Sequence, residues 1–240
     1  MVPAFLLLLA LWFASPGLAA ETGIKVLVMT GGHGFEQESF YQVFRDNPEI
    51  AFSHAEHDQA SATGFERPDL LDQDVVVLYD MPKHITAAQQ ARFLALFERG
   101  IGLVVLHHAL GSYQDWPRYE AIIGGRYPEV PGKAGVATPE VGYQHDLEVP
   151  VMVVAKDHPI TAGVRDFVIH DEIYWGFRVA ADVTPLLTTS HPKSGNPLAW
   201  TRTEGRSRVV YLQLGHDHQA YANPNYRKLV AQAIRWAARK

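Results

Sequence analysis

The chain has 240 residues, of which 21 are Lys or Arg and 26 are Asp or Glu, for a formal net charge of -5. This acidic balance, without a basic run, argues against a nucleic-acid partner. A hydrophobic content of 47% excludes a disordered chain, and the absence of Cys excludes a disulfide framework, a lipid-anchored Cys and a thiol nucleophile.

An apolar segment opens the chain. Residues 5–13 are almost wholly apolar, a Ser-Pro-Gly break follows, and small residues end at Ala19 and Ala20. This order predicts a signal peptide over residues 1–20, because the apolar core is too short for a comfortable bilayer span. A retained anchor is the alternative. We expect a periplasmic or secreted protein, no stable membrane insertion after cleavage, and a single domain over residues 21–240.

Four aliphatic runs predict buried strands, because an apolar run bounded by turn residues is typical of a strand covered on both faces. These runs are Ile24–Thr30, Val75–Tyr79, Ile101–Leu106 and Val209–Leu214. The residues that directly follow them are Gly31-Gly-His33-Gly34, Asp80, His107-His108 and Gly215-His216-Asp217-His218. Open α/β sheets bind ligands at the carboxyl ends of parallel strands, so we expect these polar side chains to converge on one rim.

Helical signals alternate with these strands. We expect helices over residues 36–45 and 86–99, the second opened by a capping box of Thr86 and Gln89. A C-terminal helix capped by Asn223 closes the chain. Alternating strands and helices predict an α/β protein.

The second half of the chain predicts an antiparallel extension of the sheet. The Pro- and Gly-rich stretch 126–150 lacks helical periodicity and is interpreted as an extended insertion around the sheet edge, a candidate dimer surface in a homo-oligomer. Short strand-like runs follow, separated by turns that contain Gly and Pro. They cover residues 151–155, 167–174, 185–189, 198–202 and 208–214.

The turn Gly31-Gly-His33-Gly34 resembles a phosphate-binding loop only superficially. It lacks the third glycine of the dinucleotide fingerprint and the Lys-Ser/Thr pair of a P-loop, so we expect no tightly bound nucleotide. His33 is interpreted either as a residue that contacts the substrate or as a loop histidine with a structural hydrogen bond.

His107-His108 stands where related sheets carry a nucleophile on a sharp strand-to-helix turn, yet neither residue is Ser or Cys. Acyl transfer through a covalent thioester is therefore excluded. An imidazole here can act as a general base, bind a metal or contact a sugar hydroxyl. Neighbouring side chains in an extended segment point in opposite directions, so one of the pair should face the crevice, and we favour His107.

Two further clusters carry titratable side chains. Asp171 and Glu172 lie among Ile and Trp residues, where a carboxylate is costly unless it is paired or bound, and Tyr174 follows them. The alternative interpretation is a structural hydrogen-bond cluster. His216 and Asp217 follow a glycine that lets the backbone approach a ligand.

The same side chains fit a mixed imidazole and carboxylate site for one divalent metal. Its candidate ligands are His33, His107, Glu172 and His216, which we expect on different strand ends. No spacing diagnostic of a metal site, such as His-x-x-x-His, supports it. We therefore expect at most one divalent metal per chain and leave the identity of any cofactor open.

Several segments, in their order along the chain, resemble the trehalose-utilisation (ThuA-like) family. They are Gly31–Phe35, Gly102–His107, Asp157–Thr161, Asp171–Tyr174, Pro197–Trp200, Arg208–Tyr211, Leu214–Asp217 and Arg235–Ala237. The resemblance covers nearly all of residues 21–240. It implies an α/β fold of the flavodoxin-like or class I glutamine amidotransferase-like kind, a three-layer sandwich with a mainly parallel central sheet and an antiparallel extension.

The resemblance also implies a role in carbohydrate catabolism, on a disaccharide, glycoside or keto-sugar related to trehalose. Amidotransferase-like domains use an elbow Cys with a His and a nearby Glu; by position, His107 or His108 replaces that Cys and His216 resembles the triad His. The glutaminase reaction cannot carry over without the thiol. Family members commonly carry Ser where this chain has His108.

These observations together predict an exported enzyme with non-thiol acid/base or metal-assisted chemistry on a small-molecule carbohydrate. The expected catalytic residues are His216, Glu172, Asp171 and His107, with His216 as the acid or base. The expected substrate-binding residues are His33, Tyr174, Trp200, His108, Asp217 and Trp116, the aromatic ones as a stacking surface for a sugar. The alternative is a non-catalytic carbohydrate-binding or accessory protein on a degenerate amidotransferase-like fold.

Export makes a direct prediction about the mature N-terminus. Because small residues end the apolar segment, the mature protein should begin at Ala20 or Glu21. Intact-mass spectrometry of protein recovered from the cell envelope fraction measures this. Recovery of a chain that still begins at Met1 would contradict the prediction.

Overall fold

The computed structural model describes residues 23–58, 61–129, 138 and 140–240. The signal-peptide prediction falls on residues 1–20, which lie outside the described residues. Within the described part of the chain, no helix is both long enough and apolar enough to cross a bilayer.

The described residues form strands and helices in alternation through the first half and mainly strands in the second. The strands are β1 (Ile24–Gly31), β2 (Ile50–Glu56), β3 (Val75–Asp80), β4 (Gly102–Leu106), β5 (Gly125–Arg126), β6 (Gly142–Val153), β7 (Phe167–Trp175), β8 (Arg178–Val179), β9 (Thr184–Thr189), β10 (Ala199–Glu204) and β11 (Ser207–Leu212). The α-helices are α1 (Gln37–Arg45), α2 (Ala87–Arg99), α3 (Pro117–Ile123), α4 (His218–Ala222) and α5 (Pro224–Ala237). Short 3-10 helices cover Thr63–Glu66, Pro68–Asp72, His107–Gly111 and Pro159–Thr161.

One large sheet has the strand order β2-β1-β3-β4-β11-β10-β9-β6-β7. Its first five strands are mutually parallel. The last four join it in antiparallel pairs. The parallel centre and the antiparallel extension are therefore confirmed.

Helices cover both faces of the sheet and make three layers. On one face α1 and α5 pack through residues such as Phe44 and Leu229, and on the other α2 and α3 pack around Phe93. Strand β1 alternates between the two cores, with Val26 in the first and Leu27 in the second. Burial on both faces explains why the parallel strands are continuously apolar in sequence.

The helix ends carry the predicted capping groups. The Thr86 hydroxyl accepts from the Gln89 N–H (3.3 Å), and the Gln89 side chain accepts from the Thr86 N–H (3.0 Å), which completes the capping box of α2. Helix α2 ends at Gly100, whose φ of 79° is left-handed. The side chain of Asn223 caps α5.

The stretch 126–150 differs from its predicted place around the sheet edge. From Gly142 onward it belongs to β6, which lies inside the sheet and pairs with both β7 and β9. A bulge in β6 and its exposed polar side chains break the apolar alternation that identifies a strand in sequence. Residues 130–137 and 139 lie outside the described part of the chain.

Gly102, the first residue of β4, allows the strand to approach the end of α5 closely. A Cβ on this residue would lie 2.6 Å from the carbonyl oxygen of Ala237 and 2.7 Å from its Cβ. Gly102→Ala should therefore lower the free energy of unfolding by about 1–3 kcal/mol through overpacking. Urea denaturation measures the change.

Gly34→Ala is the matched control, because no heavy atom lies within 4 Å of a Cβ built there. It should shift the free energy of unfolding by less than about 0.5 kcal/mol. Equal stability of the two variants would contradict the close packing of β4 on α5.

Candidate active site

The candidate site draws on strands that are distant in the sheet order. His107 directly follows β4, His216 follows β11, and Glu172 lies in β7 at the far edge of the sheet. Strand β7 is four strands from β11, about 19 Å in a flat sheet at about 4.8 Å per strand. Glu172 and His216 nevertheless meet, because Asp171, which precedes Glu172, contacts the turn that carries His216.

Asp171 joins the edge strand to the turn after β11. Its carboxylate accepts hydrogen bonds from the backbone N–H groups of Glu172 (2.8 Å), Gly215 (2.8 Å) and His216 (2.9 Å). Burial raises the pKa of Asp171, against the opposing effects of His107 and these N–H donors. Because the backbone occupies both oxygens, the structure gives Asp171 a positioning role instead of the expected catalytic one.

His107 occupies a sharp turn at the end of β4. Its φ of 52° lies in the left-handed region, which residues other than glycine rarely adopt. The Tyr211 hydroxyl donates to the His107 carbonyl at 3.1 Å and holds the turn. Because the chain turns here instead of running extended, both His107 and His108 reach the site, in contrast to the expectation that only one would.

His107, Glu172 and His216 bring three potential ligand atoms together, and we call this group the triangle. His107 Nε2 lies 3.0 Å from Glu172 Oε2, and His216 Nδ1 lies 3.4 Å from the same oxygen. The two ring nitrogens are 3.4 Å apart. The Tyr174 hydroxyl lies 2.8 Å from His107 Nε2. Three of the expected catalytic residues are thus in direct contact.

The second ring nitrogen of His107 fixes its tautomer. His107 Nδ1 lies 2.6 Å from the backbone carbonyl oxygen of Gln213, which can only accept, so Nδ1 carries a hydrogen. In the neutral ring, Nε2 then presents a lone pair to the triangle. A lone pair 3.0 Å from a carboxylate oxygen is repelled unless a proton or a cation lies between the two atoms.

Glu172 and His216 each stabilise the charged form of the other. Burial alone would raise the pKa of Glu172, but hydrogen bonds from His107 and His216 outweigh burial and hold that pKa well below its usual range. The hydrogen bond to Glu172 raises the pKa of His216, against the effect of burial. Glu172 is therefore a carboxylate at neutral pH, and His216 holds a proton more readily than a free histidine.

A cavity of about 360 Å³ opens beside the triangle, within the usual range for small-molecule sites. Glu172, Tyr174 and His216 lie on its wall. His108 also lines the cavity, whereas His107 contacts Glu172 without contributing to the lining. Of the two histidines, His108 and not the favoured His107 therefore lies on the cavity wall, while His107 reaches the site through Glu172.

His33 and His108 form a stacked pair on the cavity wall, with ring centroids 4.4 Å apart and planes 26° from parallel. Burial lowers the pKa of His33 and holds the pKa of His108 well below its usual value. His33 Nδ1 lies 2.7 Å from the Gly34 carbonyl oxygen. Neither ring nitrogen of His108 has a well-formed hydrogen bond within the described residues.

Three expected substrate-binding residues lie elsewhere. Trp200 is fully buried and donates from Nε1 to the Ile123 carbonyl oxygen (2.7 Å). Trp116 is buried against Phe93, with ring centroids 5.5 Å apart. The expected stacking surface at these two indoles is therefore wrong. Asp217 accepts from two N–H groups at the start of α4 and acts as a helix cap.

Asp80, at the end of β3, does not join the rim either. Its carboxylate is buried 3.0 Å from His57 Nε2 and accepts from the Tyr113 hydroxyl. His57 Nδ1 accepts from the Gly64 N–H (2.8 Å), which holds the ring in place beside Asp80. This group is a structural hydrogen-bond cluster behind the site.

The cavity lining includes residues that the sequence did not single out. Tyr127, Tyr143 and His145 line it, and the His145 ring stacks on that of His216 at 5.4 Å with planes 12° apart. The sequence did carry a signal for two of them. Tyr143 and His145 both have planar rings and are two residues apart, the spacing of side chains on one face of a strand, in a stretch otherwise rich in Pro and Gly.

The triangle is also the part of the site that could hold a metal. The ligand atoms of His107, Glu172 and His216 all lie within 4.8 Å of one another. His33, the fourth expected ligand, does not belong to this group of close ligand atoms. Two imidazoles and one carboxylate suit first-row transition metals better than Mg²⁺ or Ca²⁺.

Comparison with known families gives one match that spans the domain. The sequence model of the family described as trehalose utilisation (ThuA) matches residues 25–237. No curated protein matches the chain.

Solved structures share the fold at low identity. A ThuA-like protein of Parabacteroides merdae is 20% identical with a TM-score of 0.77, over 90% of each chain. A ThuA-like protein of Bacteroides uniformis is 20% identical with a TM-score of 0.64, over 93% of this chain and 95% of that one. A β-galactosidase of Rahnella sp. R3 is 14% identical with a TM-score of 0.58, over 88% of this chain and 31% of the larger one. At these identities the likeness concerns the fold alone.

The three backbone bonds of Asp171 predict a loss of stability when its charge is removed. Asp171→Asn keeps the shape but turns an N–H₂ group toward one of the backbone N–H donors that the carboxylate accepted. The free energy of unfolding should fall by about 1–3 kcal/mol. Urea denaturation at neutral pH measures it.

Asp217→Asn is the matched control, because Asn caps a helix about as well as Asp. Its free energy of unfolding should change by less than about 0.5 kcal/mol. If Asp171→Asn were as stable as this control, the contacts of Asp171 would not hold the edge strand to the turn.

Proposed function

The chain belongs to the trehalose-utilisation (ThuA) family, and from that premise we propose that it is an exported enzyme of carbohydrate breakdown. Its substrate is a disaccharide, glycoside or keto-sugar related to trehalose, bound in the cavity. The observation that carries the proposal is the contact of Glu172 with His216 on the wall of a cavity of small-molecule size. Export is supported by the apolar segment within residues 1–20.

The cavity lining suits a sugar. Tyr127, Tyr143 and Tyr174 supply rings against which the C–H face of a sugar can pack. His108 is kept neutral by burial, and because both of its ring nitrogens are buried it contributes ring surface to the cavity wall.

The proposed chemistry is proton transfer to or from a substrate oxygen by His216. Its side chain is 28% exposed and lies on the cavity wall, and its raised pKa favours the protonated form that donates to a leaving oxygen. Glu172, held as a carboxylate, stabilises the positive charge of that ring. His107 contacts the same carboxylate oxygen and orients it.

Carbohydrate binding without catalysis is the second candidate function. The observation in its favour is His107, at the elbow position, whose two ring nitrogens both have close polar partners. A residue held so firmly behind the cavity wall can support a binding site as well as a reacting centre. The two candidates differ in whether the bound sugar is converted.

Loss of His216 should separate catalysis from stability. His216→Ala should lower turnover by roughly 10²–10⁴-fold, because it removes the proton-transfer group, while the melting temperature stays nearly unchanged. Turnover is measured by chromatography of trehalose, sucrose, lactose and their 3-keto forms after incubation with the protein.

His218→Ala is the matched control from the same His-Asp-His run. The His218 side chain is 61% exposed and forms an ion pair with Glu36, the residue that precedes α1. It does not line the cavity. It should retain wild-type turnover. A His216→Ala protein that melts early but keeps full activity per folded molecule would contradict the role of His216. Tight binding of a sugar with no conversion by the wild-type protein would establish the second candidate.

A further inference from the structure

The triangle has the dimensions of a metal coordination face. In a tetrahedral centre with metal–ligand bonds of about 2.0–2.1 Å, ligand atoms lie about 3.3–3.4 Å apart. The three separations within the triangle are 3.0, 3.4 and 3.4 Å. One point can therefore lie at bonding distance from His107 Nε2, Glu172 Oε2 and His216 Nδ1 together.

The hydrogen bond of His107 Nδ1 also supports a metal site. A histidine that binds a metal usually donates its other ring N–H to a carbonyl or carboxylate, which fixes the tautomer and aims the lone pair at the ion. His107 does this through Nδ1 and the Gln213 carbonyl oxygen, and the left-handed turn at His107 holds the ring in place. Its Nε2 lies 3.0 Å from Glu172 Oε2 and 2.8 Å from the Tyr174 hydroxyl, and its contact with the carboxylate is favourable with either a proton or a metal cation between the two atoms.

We propose that the triangle binds one first-row divalent transition metal ion, such as Zn²⁺, with an open coordination position toward the cavity. Glu172 and His216 lie on the cavity wall, so a substrate oxygen or a water molecule can reach that position. Three protein ligands and an open position characterise catalytic zinc sites, whereas structural zinc sites are closed by four.

The metal deepens the proposed function, and its catalytic use rests on that function. A bound ion would polarise a substrate oxygen and lower the pKa of a bound water to about 7, so that with the metal present His216 would hold the ion and the bound water would serve as the acid or base. The site itself rests only on the geometry of its three ligands.

The experiment measures metal binding directly. Purified protein is stripped with a chelator, dialysed, and titrated by calorimetry with Zn²⁺ and separately with Mn²⁺; elemental analysis of the reloaded protein gives the stoichiometry. We expect one metal per chain. Co²⁺ in place of Zn²⁺ should give the visible absorption of a low-coordinate nitrogen and oxygen site.

Two ligand variants and two controls assign the site. Loss of a residue that only hydrogen-bonds to a metal ligand weakens metal binding by roughly 10–100-fold. Glu172→Gln and His216→Ala each change a ligand itself, so each should raise the dissociation constant for the metal by at least that factor. Glu148→Gln and His84→Ala, whose side chains are each 72% exposed, should bind as the wild type does. Circular dichroism of the metal-free proteins checks folding. If Glu172→Gln does not fold, the metal affinity of His216→Ala, which changes a partly exposed residue, decides the test.

Absence of binding by the folded wild-type protein, or ligand variants that bind with wild-type affinity, would overturn the metal site. One metal per wild-type chain, lost in the ligand variants and kept in the controls, supports it. A protein that binds the metal in this way, yet neither binds nor converts any sugar, leaves the site standing and overturns the proposed function.

Discussion

The site depends on the buried carboxylate of Asp171. It binds the backbone N–H groups of Gly215 and His216 from the turn after β11, and that of Glu172 on its own strand. These bonds connect an edge strand to the centre of the sheet, where regular pairing alone would keep them apart. Each buried N–H would cost about 1–3 kcal/mol if left unpaired, so one side chain fixes the position of two site residues.

The turn at His107 places the two histidines of the site. A left-handed residue at the end of a buried strand redirects the chain, so that consecutive histidines serve different purposes. His107 contacts Glu172, and His108 stacks on His33 at the cavity wall. The strain of a non-glycine residue in this conformation is offset by Tyr211 and Gln213, which bind its carbonyl and its ring.

The sequence predicted those parts of the fold that rest on local physics. Continuous apolar runs predicted the parallel strands, and Thr86 with Gln89 predicted the start of α2. Strand β2 was missed because it is an edge strand in which no residue is fully buried, so its sequence carries no continuous apolar run. For the site, the sequence identified His107, Glu172 and His216, but composition cannot tell an indole at the cavity from one in the core. Trp200 lies in the core because its N–H has a backbone partner there.

The central claim is that the triangle is a reacting centre that faces a bound carbohydrate. Crystals soaked with disaccharides and their keto forms, with data collected across transition-metal absorption edges, test it most directly. We expect sugar density in the cavity lined by Tyr127, Tyr143 and Tyr174, with an oxygen directed at the triangle and one anomalous peak between His107, Glu172 and His216. Sugar density at another surface, with this cavity holding only solvent, would contradict it.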